Sequence, residues 1–480
     1  MVGKTGGLIT QVEIAPLDTE RFEDVLAPDR YEQLVDTIVR ALELFDGRRV
    51  WNINSTARGG GVAEMLQSLL AYARGAGVDT RWAVIEGEPE FFRVTKRIHN
   101  NLHGSPGDGG KLGEAERKAY EKVGEANAAE MLDLISSEDV VIVHDPQPAG
   151  MIEPLQEKAA VVLWRCHVGL DLPNDVARAA WNFLTPYVGK ADAFVFSREQ
   201  YAWESLKRER ITVIPPSIDA FAPKNQDLSP DQVRGILDAT KLVAGGDGGS
   251  PTYETWDGTT EGVTRVTDFF DGGTPPPADA RLVVQVSRWD RLKDPIGVIQ
   301  GFAGEVARSC DDVHLILAGP AVTAVADDPE GQDVLEECRD EWSSLPPDVR
   351  DRVHLACLPM DDGDENAAIV NALQRRADVV VQKSLAEGFG LTVAEAMWKA
   401  RPVIASRIGG IQDQIEDEVN GLLLDDPHDT AAFGRTVVEL LDNPENAEEM
   451  GRKARERVRD EFLGARHLIQ YVDLIEGLIA

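Results

Sequence analysis

The chain has few cysteines, no long apolar run and little positive charge. Its 480 residues include only 4 cysteines (Cys166, Cys310, Cys338 and Cys357), which are scattered without the spacing of a zinc site or a disulfide framework. No stretch reaches the roughly 18 apolar residues of a membrane span, and the N-terminus MVGKTGGLITQVEIAPLD has no apolar signal core. We therefore expect no metal centre, no membrane contact and a reducing, cytoplasmic compartment.

Positive charge is scarce, because Lys and Arg total 49 against 83 for Asp and Glu, which gives a formal net charge of -34. The acidic residues are spread along the whole chain. Such a chain repels nucleic acid, so small molecules are the expected partners, and a homodimer is left open. A dispersed acidic surface keeps a protein solvated where salt screens its self-repulsion, which favours a salt-rich cytosol; an ordinary acidic protein is the alternative.

Short β-branched runs alternate with longer amphipathic segments, which is typical of βαβ units around parallel sheets. The alternation starts at RRVWNIN and restarts after residue 280 at ARLVVQVSR. The chain is long enough for two full cores. We therefore predict an α/β protein with two doubly wound, Rossmann-like domains, residues 1–215 and 216–461. The Pro-containing stretch ITVIPPSIDAFAPKNQDLSP is the predicted hinge between them.

Two further segments depart from this pattern. Residues 244–279 are rich in Gly, Asp, Thr and Pro and show no steady period. This composition predicts a surface loop or a partly disordered insertion, with a lid as the alternative. The C-terminal stretch is helical in period and becomes more apolar near Phe462. We expect residues 462–480 to form a helix that docks on the first domain.

The first candidate loop follows the first clear strand, at NSTARGGGVAEML. Ligands of open α/β sheets bind beyond the carboxyl ends of the strands. Gly60 and Gly61 precede a helix there, so bare backbone can approach a ligand and free N–H groups can face an anion. The loop is neither a dinucleotide fingerprint nor a Walker loop. A glycine turn that only packs the helix on the strand is the alternative.

The second candidate loop, VSRWDRLKDP, follows the opening strand of the second domain and carries Arg288 and Lys293. Two cations at a strand end can neutralise a diphosphate. A chain this acidic also needs a local positive pocket to attract an anionic substrate. Solvated surface charges are the alternative.

The third candidate is EGFGLTVAE, which follows the strand ADVVVQ. In one continuous helix the carboxylates of Glu387 and Glu395 would be about 12 Å and about 80° apart. Gly388 and Gly390 break that geometry. Glu387 can then face a ligand held over the helix N-terminus, while Glu395, a turn into the helix, reaches a more distant hydroxyl of the same ligand. Two ordinary acids at a helix start are the alternative.

Polar side chains also follow two strands of the first domain. VIVHDPQPAG places His144, Asp145 and Gln147 after one strand, and LWRCHVGL places Arg165 and His167 after another. Because carboxyl ends of parallel strands share one edge of a sheet, both clusters are expected to face one cleft. A lone histidine is more often structural than catalytic, but two clusters after neighbouring strands favour a site.

Taken together, these stretches resemble a known family. The EGFGLTVAE spacing, the Arg288 and Lys293 pair, the VIPPSID hinge and the glycine loop resemble the retaining nucleotide-sugar glycosyltransferases of the GT-B fold, the glycogen-synthase-like group. RWAVIEGEPEFF, HDPQP, WRCHVGLDLPN and NGLLL are more closely similar to the trehalose-forming glycosyltransferring synthases, which join a glucosyl nucleotide to free glucose. The likeness runs from about residue 50 to the end, without a recognised counterpart of residues 244–279.

The resemblance implies a GT-B fold with two Rossmann-like domains facing a cleft. It also implies that Arg288 and Lys293 hold the donor diphosphate, that Glu387 and Glu395 bind the donor sugar and the ribose, and that His167 lies against the transferred glucose. The implied catalytic residues are His167, Arg288, Lys293 and Glu387; the donor-binding residues are Gly60, Gly61, Arg288, Lys293, Glu387, Gly388, Phe389, Gly390, Leu391 and Glu395; the acceptor-binding residues are Glu86, Asp145, Gln147 and Arg165.

The implied activity is transfer with retention of configuration, by front-face attack in which the leaving phosphate helps to take the acceptor proton. This suits the sequence, since retaining hydrolases need paired carboxylates about 5 Å apart and no such pair is evident. No tightly bound cofactor is implied, and the substrate is UDP-, ADP- or GDP-glucose with a loosely held Mg²⁺ allowed. The rivals are a retaining disaccharide phosphorylase, a synthase with another small acceptor such as glycerate, a nucleotide-sugar epimerase and a non-catalytic binding protein.

Overall fold

The computed structural model describes residues 2–3, 7–57, 60–246, 248–270, 273–321 and 329–479. The chain divides into two compact units. The first unit comprises Met1–Ser217 with Phe462–Ala480, and the second comprises Ile218–Glu461. Each unit is built around one mainly parallel sheet with helices on its faces. The predicted α/β class with two doubly wound sheets is confirmed.

The first unit contains one sheet. Its strands, in chain order, are β1 (Val2–Gly3), β2 (Ile9–Val12), β3 (Val50–Asn54), β4 (Thr80–Ile85), β5 (Val140–His144), β6 (Val161–Cys166), β7 (Ala193–Phe196) and β8 (Ile211–Val213). Their spatial order is β1-β2-β4-β3-β5-β6-β7-β8. β1 and β2 form an antiparallel edge, and the strands from β4 to β8 are parallel. The strand order reverses between β3 and β5, and such a reversal marks the crevice in which ligands of this fold class bind.

The helices of the first unit follow the strands as the sequence pattern predicts. The strands β3 and β5 are buried along their whole length, so helices must cover both faces of the sheet. The helices in this part of the chain are α1 (Pro28–Leu44), α2 (Gly61–Gly75), α3 (Pro89–Leu102), α4 (Glu114–Leu134), α5 (Ile152–Gln156) and α6 (Asp175–Val188).

The second unit contains a separate two-stranded hairpin and its own larger sheet. Its strands are β9 (Thr252–Glu254), β10 (Thr260–Gly262), β11 (Asp268–Phe269), β12 (Arg281–Val286), β13 (Val313–Pro320), β14 (Val353–Leu358), β15 (Val379–Gln382), β16 (Val403–Ser406) and β17 (Leu422–Leu424). The sheet order is β11-β14-β13-β12-β15-β16-β17, with only β11 antiparallel to its neighbour. The order reverses between β12 and β15.

Helices of the second unit also alternate with its strands. Ser229 caps the first of them by accepting a hydrogen bond from the Gln232 N–H at 3.2 Å, as expected for a serine at a helix start. The helices are α7 (Pro230–Ala239), α8 (Pro295–Gly301), α9 (Ala307–Ser309), α10 (Pro329–Ser344), α11 (Pro347–Arg350), α12 (Gly363–Arg376), α13 (Leu391–Trp398), α14 (Ile411–Gln414), α15 (Thr430–Leu441) and α16 (Pro444–Glu461).

The C-terminal helix α17 (Gly464–Ile479) belongs to the first unit, as predicted. Ile475 is buried in a cluster with Val50 and Val140 from the sheet. Arg40 of α1 pairs with Asp473 at 2.8 Å and with Glu476 at 2.6 Å. The chain therefore returns to complete the first unit after the whole of the second.

The described residues of 244–279 include a short hairpin and buried side chains that the composition did not predict. Tyr253 and Val263 are buried, and β9 and β10 form an antiparallel hairpin. Glu365 at the start of α12 accepts hydrogen bonds from the backbone N–H groups of Thr264 and Arg265 at 2.6 and 2.8 Å. Asp-Gly in the turn between the strands is a hairpin signal that the composition obscured.

The described residues were also compared with the sequence-based expectations for membrane spans and metal sites. No helix among them is long and apolar enough to cross a bilayer. They contain no group of three or more His, Cys, Asp or Glu side chains placed to hold a metal ion. All four cysteines are buried and free, so they contribute to the cores as small apolar side chains.

Candidate active site

Two loops of the second unit meet where the strand order reverses, and they bring together predicted site residues. The loop after β12 carries Lys293, and the loop after β15 carries Glu387. The Leu385 N–H donates to the Leu292 carbonyl at 2.7 Å, which ties the two loops to each other. Lys293 Nζ is in direct contact with the Glu387 carboxylate. A cation and a carboxylate that the sequence predicted separately therefore form one ion pair.

This ion pair is mostly withdrawn from water, with 16% of the Lys293 side chain and 12% of the Glu387 side chain exposed. Removing either partner would leave a poorly solvated charge, which is costly. A phosphate oxygen bound to Lys293 would supply the replacement negative charge. Glu387 would then be able to accept hydrogen bonds from the hydroxyls of a sugar. The pair is therefore suited to a ligand that carries phosphate and sugar side by side.

Arg288 lies on the same loop as Lys293 but extends into solvent. Its side chain is 67% exposed, and Nη2 lies 3.2 Å from the carboxylate of Asp290. Asp290 also caps the turn that leads to Lys293 by accepting a hydrogen bond from the Leu292 N–H at 2.8 Å. A contact between Arg288 and a donor diphosphate stays a prediction.

The glycine turn before α13 has the backbone geometry that its composition predicts. Gly390, the residue before the helix, has a φ of 80° in the left-handed region that favours glycine. Gly409 has a φ of 47°, and a Cβ there would lie 2.0 Å from the carbonyl oxygen of Glu387. Phe389 is 6% exposed, so its ring is largely buried. The turn holds Glu387 outside the helix and places Leu391 at its first position.

Glu395 lies inside α13 and is 5% exposed. Its carboxylate lies 3.7 Å from Nζ of Lys224. Behind it, Lys399 donates to the Glu395 carbonyl at 3.0 Å and to Oδ1 of Asn225 at 3.1 Å. Burial lowers the pKa of the Lys399 amine well below its usual value. The two glutamates are separated as predicted. The pairing of Glu395 with Lys224 was not predicted, and a ribose contact stays a prediction.

A second buried ion pair, which was not predicted from the sequence, supports the loop that carries Lys293. Lys383, whose side chain is fully buried, contacts the carboxylate of Asp294. Asp294 has a φ of 48° and caps α8 by accepting a hydrogen bond from the Gly297 N–H at 3.1 Å. Gln285 donates to the carbonyl of Lys293 at 3.0 Å. The Asp-Pro pair at the start of α8 was a readable capping signal.

The first unit brings its predicted residues together at the carboxyl ends of β5 and β6. The His167 N–H donates to Oδ1 of Asp145 at 2.8 Å, and the Asp145 N–H donates to the Arg165 carbonyl at 2.7 Å. Nδ1 of His144 lies 3.2 Å from Nε2 of His167, and Nε2 of His144 lies 3.0 Å from Oδ1 of Asn52. The two histidines that follow neighbouring strands are thus joined, and Asn52 is a partner that the sequence did not indicate.

Charge in this cluster is suppressed by burial. Burial, with the positive charge of Arg165 as a lesser cause, lowers the pKa of His144 to about 3 and that of His167 well below its usual value. Burial raises the pKa of Asp145 to about 7. Asp145 also has a φ of 63°, which is uncommon for a residue other than glycine. Both imidazoles are therefore neutral at neutral pH, and the aspartate is close to its point of titration.

The remaining predicted residues of the first unit lie at the same edge of its sheet or below it. Arg165 is fully buried, and Nη1 donates to the Phe196 carbonyl at 3.2 Å. Its guanidinium therefore acts within the fold, and a direct acceptor contact stays a prediction. Glu86 and Gln147 are partly exposed beyond β4 and β5. Gly60 precedes α2 with a φ of 86° and has open space where a Cβ would lie, and Gly61 is the first residue of that helix.

Comparison with known proteins identifies the family. The model of the trehalose synthase N-terminal domain matches residues 52–203, and that of the group 1 glycosyl transferases matches residues 362–457. The trehalose synthase of Pyrococcus horikoshii is 37% identical over 451 residues, which cover 93% of this chain and 94% of that protein. The chain belongs to the trehalose synthase family. The histidine cluster lies within the first matched region of this family, and Glu387 and Glu395 lie within the second.

Two further comparisons bear on fold and chemistry. The solved structure of an α,α-trehalose-phosphate synthase (UDP-forming) from Burkholderia vietnamiensis has a TM-score of 0.65 at 16% identity, with 89% of this chain and 98% of that chain covered. The trehalose phosphorylase of Grifola frondosa is 27% identical over 432 residues, 85% of this chain but 54% of that protein. The chain has the GT-B fold and is a glycosyltransferase of trehalose metabolism.

Proposed function

We propose that this trehalose synthase family member transfers glucose from a nucleotide-glucose donor to free glucose, with retention of anomeric configuration, and so forms trehalose. The observation that carries the proposal is the Lys293–Glu387 pair at the strand reversal of the second unit. In this pair, a cation that can bind diphosphate lies next to a carboxylate that can accept hydrogen bonds from sugar hydroxyls. A nucleotide sugar presents these two groups in covalent linkage.

In this reaction the bond between the anomeric carbon and the phosphate oxygen breaks, and a bond to the acceptor oxygen forms on the same face. The proton of the acceptor hydroxyl passes to the leaving diphosphate. Negative charge therefore grows on the diphosphate, where Lys293, together with Arg288, stabilises it. Glu387 holds donor sugar hydroxyls with the backbone of Gly388, Phe389 and Gly390 beside it, and Glu395 binds the ribose.

The first unit supplies the groups for uncharged hydroxyls. His167, held by Asp145 through its backbone N–H at 2.8 Å, lies against the transferred glucose. Asp145, Glu86 and Gln147 bind the acceptor, and the helix start at Gly60 and Gly61 faces phosphate. Neutral imidazoles and amides exchange hydrogen bonds with hydroxyls without the desolvation cost of a charge. Free glucose is uncharged, so the neutrality of this cluster supports it as the acceptor.

The second candidate is a retaining trehalose phosphorylase, which the similarity to the Grifola frondosa enzyme favours. Lys293 and Arg288 would then bind inorganic phosphate, and trehalose would be split to glucose 1-phosphate and glucose. A synthase of the same family with another small acceptor, such as glycerate, would use the donor machinery unchanged. These reactions differ in what they consume, so product analysis separates them.

The test is to incubate the protein in molar KCl with UDP-, ADP- or GDP-glucose and free glucose, with and without Mg²⁺, and to resolve trehalose and released nucleotide. We expect trehalose from one donor, and its loss in Glu387→Ala. Glu337→Ala is the matched control, because Glu337 on α10 pairs with the exposed Arg291 and not with Lys293.

Three outcomes would contradict the proposal. Glucose 1-phosphate from trehalose and phosphate, without consumption of any donor, would establish the phosphorylase. Donor consumption with glycerate but not with glucose would replace the acceptor. Donor binding without turnover of any acceptor would leave only a binding protein.

A further inference from the structure

Three buried side chains of the first unit form a continuous hydrogen-bonded chain that ends at His167. Asn52 on β3 is 3% exposed, His144 at the end of β5 is 2% exposed and His167 is 8% exposed. Oδ1 of Asn52 lies 3.0 Å from Nε2 of His144, and Nδ1 of His144 lies 3.2 Å from Nε2 of His167. The ring centroids lie 5.5 Å apart and the ring planes differ by 14°. With the two nitrogens 3.2 Å apart, these values place both nitrogens between the ring centres, so their contact lies close to both ring planes, as a hydrogen bond requires.

The direction of every hydrogen bond in this chain follows from its first member. An amide oxygen only accepts, so Nε2 of His144 carries a proton. A neutral imidazole has one N–H, so Nδ1 of His144 is an acceptor. Nε2 of His167 must then donate to it, and the lone pair of His167 is left on Nδ1. No protein group among the described residues bonds to that Nδ1 atom, and it is not sealed from solvent.

We infer that Asn52 and His144 are positioning residues that hold His167 in the tautomer with its proton on Nε2, so that Nδ1 accepts a hydrogen bond from a substrate hydroxyl. The tautomer is a property of the fold. The hydroxyl as its partner rests on the proposed function. With its lone pair on Nδ1, the imidazole accepts a hydrogen bond from the hydroxyl group. In the opposite tautomer Nδ1 would carry the proton and would donate a hydrogen bond to the hydroxyl oxygen.

The second unit contains an independent histidine pair that serves as an internal reference. Nδ1 of His354 lies 2.7 Å from the carbonyl oxygen of Thr274, and its Nε2 lies 2.9 Å from Nδ1 of His314. The carbonyl only accepts, so it fixes the proton on Nδ1 of His354. This pair therefore carries the opposite tautomer to His144 and His167, set by backbone rather than by a replaceable side chain.

The first test is a long-range ¹H–¹⁵N spectrum of the intact protein labelled in its 8 histidines, with signals assigned from single His→Gln variants. We expect His144 and His167 as Nε2–H tautomers and His354 as the Nδ1–H tautomer in the wild type. Asn52→Leu should convert His144 and His167 to tautomer mixtures without changing His354. Asn52→Asp, which keeps an acceptor oxygen, should retain the Nε2–H form of His167.

The matched control is Asn54→Leu on the same strand. Asn54 is 4% exposed, and its Oδ1 accepts from Trp82 Nε1 at 2.9 Å, outside the chain to His167. It should leave the His167 tautomer unchanged. An Nδ1–H tautomer of His167 in the wild type, which needs no variant to fold, would overturn the inference. An unchanged His167 tautomer in a folded Asn52→Leu would also overturn it.

The second test is kinetic. Asn52→Leu should lower kcat for glucosyl transfer about tenfold, the scale of one lost buried hydrogen bond, with Asn52→Asp restoring most of the rate. A tautomer change in Asn52→Leu with an unchanged kcat would refute the positioning role. The predicted tautomers in a protein that transfers no glucose would refute the proposed function instead, and the tautomer assignment would stand.

Discussion

Both units place polar side chains where the strand order of the sheet reverses, but these side chains are charged in one unit and neutral in the other. At the reversal between β12 and β15, Lys293 and Glu387 form an ion pair. At the reversal between β3 and β5, Asn52, His144 and His167 form a chain of neutral hydrogen bonds. The same sheet architecture thus presents a charged site in one unit and a neutral site in the other. The residues at the strand ends, and not the topology, therefore decide whether each strand reversal carries charge.

The difference has an electrostatic cause that can be traced to single residues. Burial keeps His144 and His167 neutral, and the positive charge of the fully buried Arg165 adds a smaller effect in the same direction. In the second unit the cation itself reaches the site, and only a carboxylate neutralises it. Burial therefore disfavours charge at the first strand reversal, whereas the second strand reversal carries a cation that is paired with a carboxylate.

The largest effect is expected from removing the positive charge of Lys293 in the second unit. Lys293→Ala should lower kcat/KM for the nucleotide-glucose donor by about 10²- to 10³-fold, the range for loss of one preorganised group that stabilises transition-state charge. Arg291→Ala is the control, since Arg291 lies two positions away and pairs with Glu330 and Glu337 outside the site. Steady-state kinetics of both variants measure the difference. Equal losses in the two variants would remove Lys293 from the site.

The second prediction concerns the contribution of Asp145, beside His167, to the folding stability of the protein at different pH values. The pKa of Asp145 is about 7 in the folded protein, above its value of about 4 in an unfolded chain. The folded state therefore binds more protons between these values, and this carboxyl contributes stability that is lost as the pH rises from about 4 to about 7.

Asp145→Asn removes this titration and tolerates the left-handed φ. It should equal the wild type near pH 4 and exceed it above pH 7 by on the order of 4 kcal/mol, which is about three pKa units at about 1.4 kcal/mol each. Histidine titrations are common to both proteins and cancel in the difference. Chemical unfolding at several pH values provides the measurement, and a stability difference independent of pH would contradict the shift.

A smaller effect is expected from salt on the KM for the nucleotide-glucose donor. Screening weakens contacts between an anionic ligand and exposed cations, so KM for the donor should rise by about threefold between 0.5 and 3 M KCl. KM for free glucose, an uncharged molecule, should stay constant over the same range. Far-ultraviolet circular dichroism checks that the protein stays folded. A parallel rise of both constants would show that salt acts on the fold rather than on the charged site.

The smallest expected effect tests the acidity that both units share. With a net charge of -34, self-repulsion should make the protein less stable in low salt, by on the order of 1 kcal/mol relative to molar KCl. Thermal unfolding in KCl and in an equal concentration of an uncharged osmolyte separates charge screening from exclusion effects. Absence of any gain with KCl would end the proposal of a salt-rich cytosol.

The sequence predicted what depends on neighbours along the chain and missed what depends on strand order. The alternation of strands and helices, the left-handed Gly390 and the position of Glu387 outside α13 were all readable locally. The contact of Lys293 with Glu387 joins residues 94 positions apart, because β12 and β15 are neighbours in the sheet. Asn52 was missed for the same reason: its partner follows a different strand. The hairpin at β9 and β10 was missed because glycine, threonine and aspartate favour loops and tight turns alike.

The position of α17 has a consequence for biosynthesis. Ile475 packs with Val50 and Val140, yet the ribosome reaches Ile475 only after it has translated the entire second unit. The first unit therefore leaves the exit tunnel with this apolar surface uncovered, although vectorial synthesis ordinarily lets an N-terminal domain fold first. The second unit can complete its core while the first still waits for its final helix. Premature termination between the units would release a polypeptide with an open hydrophobic face, a natural substrate for chaperones and proteases.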